Sequence, residues 1–168
     1  YATELGLVGS EMCIRDRKFN NAKVYYYAGE FDWCQAQLDV LKASTSKLIA
    51  NDALALSVLI TDNYNMDTSE VAMKLFAIGD MYVAQKKYSK ALRIYDSIYN
   101  QFQNHSLNDD ILFRKSQVFK IQHMQDKAID ALKQLEEKFP GSIILDKALF
   151  RIAKLYAVSY THLRAHET

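Results

Sequence analysis

The chain of 168 residues has 49% hydrophobic side chains but only one proline and five glycines. This composition favours long helices and disfavours a β-sandwich or a disordered linker. Its 21 basic and 20 acidic residues are interleaved and give a net charge of +1, so it lacks the basic stripe that binds nucleic acid or an anionic membrane surface.

The two ends of the chain have an unusual relation to each other. Codons can be chosen for Leu7 to Arg17 whose complementary DNA strand encodes Val158 to Glu167 as it stands here. Both ends therefore resemble sequencing-adapter DNA that was translated at the two edges of a short assembled read. We expect residues 1–17 and 157–168 to be adapter sequence, and residues 18–156 to be an internal fragment of a longer protein.

Apolar residues recur at helical spacing along the whole of this fragment, which predicts a series of helices. Residues 18–45 are expected to form a degenerate hairpin in which Gly29 permits the turn and Cys34 is a small core residue. An extra helix follows at 46–63. The remaining helices are predicted at 69–85, 88–102, 108–121, 125–139 and 143–156. Pro140 and Gly141 stop the helix that precedes them.

The strongest signal is an internal repeat with a step of 37 residues. Leu75, Ile78, Gly79, Tyr82, Ala91 and Tyr95 recur as Leu112, Lys115, Ser116, Phe119, Ala128 and Leu132. A third copy begins at Leu149. The small residues allow the two helices of a hairpin to cross closely, and neighbouring hairpins must stack to bury their apolar stripes. The sequence therefore predicts an all-α protein, an α-solenoid of antiparallel helix hairpins.

This pattern resembles the tetratricopeptide repeat, a helix-turn-helix unit of roughly 34 residues. The resemblance implies a right-handed superhelix with repeats at about 18–45, 72–108, 109–145 and 146–156, the last one truncated. It also implies a scaffold that binds a peptide or a partner protein through its concave face. The alternative is a non-catalytic structural or regulatory arm of a larger enzyme or of an envelope or secretion assembly.

The segment FPGSIILDKALFRIAKLY, which begins at Phe139, carries a second resemblance. It is similar to the longer repeats of bacterial cell-envelope scaffolds, including outer-membrane assembly lipoproteins. This similarity implies a location in the periplasm or cell envelope.

Three phenylalanines, Phe76, Phe113 and Phe150, occupy one repeat position at successive steps of 37 residues. Stacking would place them in a row, either as core between repeats or as an aromatic ladder on the concave face. In the second case a partner helix or extended peptide would find apolar anchors inside a polar rim. The candidate groove residues are Lys23, Tyr26, Phe76, Asp80, Phe113, Gln117, Lys120, Phe150 and Lys154.

Some tetratricopeptide domains grip a terminal carboxylate with Lys and Asn on successive helices. The corresponding residues here are Phe76 and Asp80 in one repeat, and Phe113 and Gln117 in the next. The resemblance therefore implies that this clamp is absent.

No catalytic, cofactor or metal site is predicted, so we expect a protein that is not an enzyme. His105 and His123 are expected to be solvated, because no nucleophile or carboxylate lies at a fixed offset from either. His162 and His166 are four residues apart, but two ligands without a third are a weak metal signal. A protein or peptide partner is expected, and no nucleic acid. Direct membrane insertion is not expected, because no apolar run approaches roughly 20 residues.

Overall fold

The computed structural model describes the backbone of residues 3–43, 47–64 and 70–166, and the side chains of residues 16–43, 48–64 and 70–157. These ranges contain eight helices and no strand. The helices are α1 (Thr3–Ala28), α2 (Phe31–Lys42), α3 (Lys47–Tyr64), α4 (Glu70–Ala84), α5 (Tyr88–Gln101), α6 (Leu107–Ile121), α7 (Gln125–Lys138) and α8 (Leu145–His166). The predicted all-α class is confirmed, and the predicted extra helix corresponds to α3.

Helices α1 and α8 continue into the two ends that the sequence analysis assigns to adapter DNA. The side chains of residues 1–15 and 158–168, which include His162 and His166, lie outside the described residues. The adapter origin of the two ends therefore stays a prediction.

The chain divides into two compact units, Tyr1–Met81 and Tyr82–Thr168. In the first unit, α1 and α3 both pack against α2, and α1 also contacts α3. In the second unit, α6 packs against α5 and α7, and α7 packs against α8. Within each unit, these helices thus pack against their neighbours in the chain, as in helical repeat proteins.

The turns that follow α1, α4 and α6 share one backbone conformation. Gly29, Lys86 and His123 have φ angles of 79°, 58° and 59°, and they are 57 and 37 residues apart. The next residue in each turn donates its N–H to a carbonyl of the preceding helix: Glu30 to Tyr25 at 3.0 Å, Lys87 to Tyr82 at 2.8 Å, and Met124 to Phe119 at 2.9 Å. This left-handed helix ending is a Schellman-type cap. The sequence repeat is therefore also a repeat of backbone geometry.

The turn at Gly29 leads to a stability prediction. A left-handed backbone costs a residue with a Cβ roughly 1 to 2 kcal/mol, and a Cβ at Gly29 would lie 3.1 Å from Cγ of Lys74. We expect Gly29→Ala to lower the free energy of unfolding by about 1 to 2 kcal/mol in urea denaturation. The matched substitution His123→Gly removes a Cβ from the same conformation and should raise the free energy of unfolding. If Gly29→Ala leaves the midpoint unchanged, Gly29 is not left-handed in solution.

The core of the first unit is centred on Phe31, which is 2% exposed. Its ring centroid lies 6.1 Å from that of Tyr26 on α1 and 4.9 Å from that of Tyr64 on α3. Cys34 is fully buried one turn later. Burial raises the pKa of its thiol to about 11, so the thiol stays protonated at neutral pH. The prediction that Cys34 is a small core residue is confirmed.

One hydrophobic core cluster of the second unit lies between α6, α7 and α8. Its buried members are Leu112, Ala128, Ile129, Leu132, Leu135, Ala148 and Leu155. The small residues Ser116 and Ala128 are fully buried, as their repeat positions predict. Ala153, the matching residue of the third copy, is exposed, because no described helix completes a hairpin with α8.

His105 corrects the sequence analysis, which expected a solvated side chain. It is only 6% exposed, and its Nδ1 accepts a hydrogen bond from the N–H of Leu107 at 3.1 Å. Leu107 is the first residue of α6, and the first N–H groups of a helix have no partner within the helix. The imidazole therefore caps α6. His123 is exposed, as expected.

Candidate functional site

Two of the four candidate groove residues of the first unit, Tyr26 and Phe76, are core. Tyr26 and Phe76 are 1% and 0% exposed, and the hydroxyl of Tyr26 donates a hydrogen bond to Oδ2 of Asp80 at 3.1 Å. Lys23 is partly exposed, with its Nζ 4.9 Å from the ring centroid of Phe19. Large apolar rings are stabilised by removal from water, so Tyr26 and Phe76 are not available to a partner. The burial of Phe76 agrees with the core alternative of the sequence analysis.

The two remaining phenylalanines have different surroundings. Phe150 on α8 is 64% exposed, and Nζ of Lys154 lies 4.7 Å from its ring centroid. Phe113 on α6 is partly buried and packs against the core of the second unit. Its other contact is the guanidinium of Arg151, 4.3 Å from the ring centroid. The expected three equivalent rings are therefore one core ring, one boundary ring and one surface ring.

Helices α6 and α8 meet at the contact between Phe113 and Arg151. Next to it on α6, Oε1 of Gln117 accepts a hydrogen bond from Nη1 of Arg114 at 3.4 Å. Lys120 is exposed on the same helix. We call this surface the α6–α8 face, and define it as Phe113, Arg114, Gln117, Lys120, Phe150, Arg151 and Lys154. It includes the five candidate residues that belong to the second unit.

The two arginines of this face were missed by the sequence analysis. Arg114 and Arg151 are 37 residues apart, the same step that relates Phe113 to Phe150. Their spacing is thus a signal visible in the sequence. Nη1 of Arg151 is buried and has no hydrogen-bond partner among the described residues. Burial, and then the nearby charge of Arg114, lowers the pKa of Arg151.

Comparison with known proteins does not assign the chain to a family. No protein-family model matches the chain, and no curated protein is significantly similar to it. Within the described residues, no three His, Cys, Asp or Glu side chains are grouped so that they could hold a metal ion. Nor does any helix in those ranges combine the length and apolarity needed to cross a membrane.

Proposed function

We propose that the chain is a segment of a non-catalytic scaffold, similar to tetratricopeptide repeat proteins, that binds a peptide or partner protein through its α6–α8 face. The observation that carries this proposal is the ring of Phe150, which is 64% exposed. Nζ of Lys154 lies 4.7 Å from its centroid, and the next residue on α8, Arg151, contacts the partly buried Phe113 of α6. Apolar anchors inside a polar rim are the usual energetic centre of a protein interface.

The finer architecture is part of this proposal. A right-handed superhelix of antiparallel hairpins is supported by the recurrence of one turn conformation at Gly29, Lys86 and His123. It is also supported by the packing of successive helices within each unit. A location in the bacterial cell envelope is proposed on the resemblance of the segment beginning at Phe139.

A selection of displayed peptides against the full chain tests the binding proposal. The selected peptides are then measured against Phe150→Ala and against Trp33→Ala, an aromatic on α2 that is also 64% exposed. We expect Phe150→Ala to weaken binding at least about tenfold, which corresponds to about 1.4 kcal/mol. Its unfolding midpoint should not change, because exposed side chains contribute little to stability.

The Trp33→Ala control distinguishes specific binding at the α6–α8 face from nonspecific binding to any exposed aromatic ring. It should bind the selected peptides as tightly as the unmodified chain. If Phe150→Ala binds normally, or if Trp33→Ala loses as much affinity, the α6–α8 face is not the binding surface.

A further inference from the structure

The guanidinium of Arg151 carries a charge that the described protein does not balance. Its Nη1 is buried without a hydrogen bond, although a buried donor without a partner is costly and uncommon. No carboxylate is among the causes that shift its pKa, which are burial and Arg114. Lys115 on α6 shows the contrast, because its Nζ forms an ion pair with Asp96 at 2.6 Å.

Arg151 is nevertheless held in place. The ring of Phe113 lies 4.3 Å from its guanidinium carbon, a stacking that arginine makes through the flat face of its guanidinium. Stacking leaves the edge of the guanidinium, which carries the hydrogen-bond donors, free for another group. The side chain as a whole is partly exposed, so an incoming ligand approaches the donors other than the buried Nη1. Arg114 adds a second positive charge close by.

We propose that Arg151, stacked on Phe113 and assisted by the charge of Arg114, binds a carboxylate of the partner. This inference rests on the proposed function, since it names the chemistry of the group that the α6–α8 face accepts. A planar carboxylate matches the fork of donors on arginine and can form two parallel hydrogen bonds with it. The site differs from the terminal-carboxylate clamp, whose lysine and asparagine positions are Phe113 and Gln117 on this face.

Replacing an arginine that serves binding should leave the stability of the fold unchanged or raise it, whereas replacing an arginine that stabilises the fold should lower the stability. Arg151→Met keeps much of the apolar contact with Phe113 and removes an uncompensated, partly buried charge. We therefore expect the unfolding midpoint of Arg151→Met to equal or exceed that of the unmodified chain. A clear fall in the midpoint would assign Arg151 to the fold and overturn the proposal.

Binding is measured by NMR titration of the isotope-labelled full chain with three small probes. N-acetylglutamate α-amide carries only a side-chain carboxylate, N-acetylglycine carries only a terminal one, and N-acetylglutamine amide carries none. We expect the Nε–Hε resonance of Arg151 to shift with at least one carboxylate and not with the neutral amide. The carboxylate that causes the larger shift shows whether the partner supplies a side-chain or a terminal carboxylate. Added sodium chloride should weaken the binding of this carboxylate.

The matched variants are Arg151→Met and Arg93→Met, which removes an exposed arginine of α5. The first should lose carboxylate affinity at least tenfold and the second should keep it. Equal affinities in both variants, or no response to either carboxylate, would overturn the proposal. Selected peptides that need Phe150 but no carboxylate would leave the proposed function standing and remove this inference alone.

Discussion

Replacement of Phe31 by alanine should destabilise the first unit by about 3 to 5 kcal/mol. The side chain is 2% exposed, and its ring pairs with Tyr26 of α1 and Tyr64 of α3. Truncation removes the shared contact of three helices and leaves a cavity that helices cannot fill by small shifts. A domain is typically stable by only about 5 to 15 kcal/mol. The loss should therefore be visible as a large shift in urea denaturation followed by far-UV circular dichroism.

Trp33→Ala is the control for this prediction, because Trp33 lies on the same helix and is 64% exposed. It should change the free energy of unfolding by no more than about 0.5 kcal/mol. Similar losses in Phe31→Ala and Trp33→Ala would mean that α2 is rotated relative to the arrangement described above.

Leu132→Ala should cost the second unit about 2 to 5 kcal/mol. Leu132 on α7 is fully buried and belongs to a cluster that includes Leu112 of α6 and Leu155 of α8. Truncation of Leu132 removes contacts with both neighbouring helices. Because both helices line the resulting cavity, the surrounding side chains cannot easily close it. The free energy of unfolding is measured by urea denaturation.

Leu149→Ala is the same substitution at a residue of α8 that is 40% exposed. Because less of this side chain is buried, its truncation removes less buried apolar surface. We therefore expect the free energy of unfolding to fall by less than about 1 kcal/mol. A larger cost for Leu149→Ala than for Leu132→Ala would contradict the assignment of the core to the α7 side of α8.

The sequence predicted the helices and turns well, because both depend on local signals. Apolar spacing identified each helix, and the gaps between the predicted helices located the turns at Lys86 and His123. The turn conformation itself was predicted only at Gly29, where glycine tolerates a positive φ. Lysine and histidine give no such signal.

Burial of individual side chains was predicted less well, because it depends on which helix covers which face. Phe76 and Phe150 occupy one repeat position, yet one is fully buried and the other is 64% exposed. The capping role of His105 depends on a contact with the start of α6, which no spacing rule predicts. The charge of Arg151 has no acid near it among the described residues, and neither this nor the burial of its guanidinium can be read from the sequence.

NMR mapping of a selected peptide on the isotope-labelled chain tests the binding scaffold most directly. Backbone amide shifts should cluster on α6 between Phe113 and Lys120 and on α8 between Phe150 and Lys154. They should also disappear in Phe150→Ala. Shifts confined to the surface around Trp33 of the first unit, or shifts that persist unchanged in Phe150→Ala, would contradict the account.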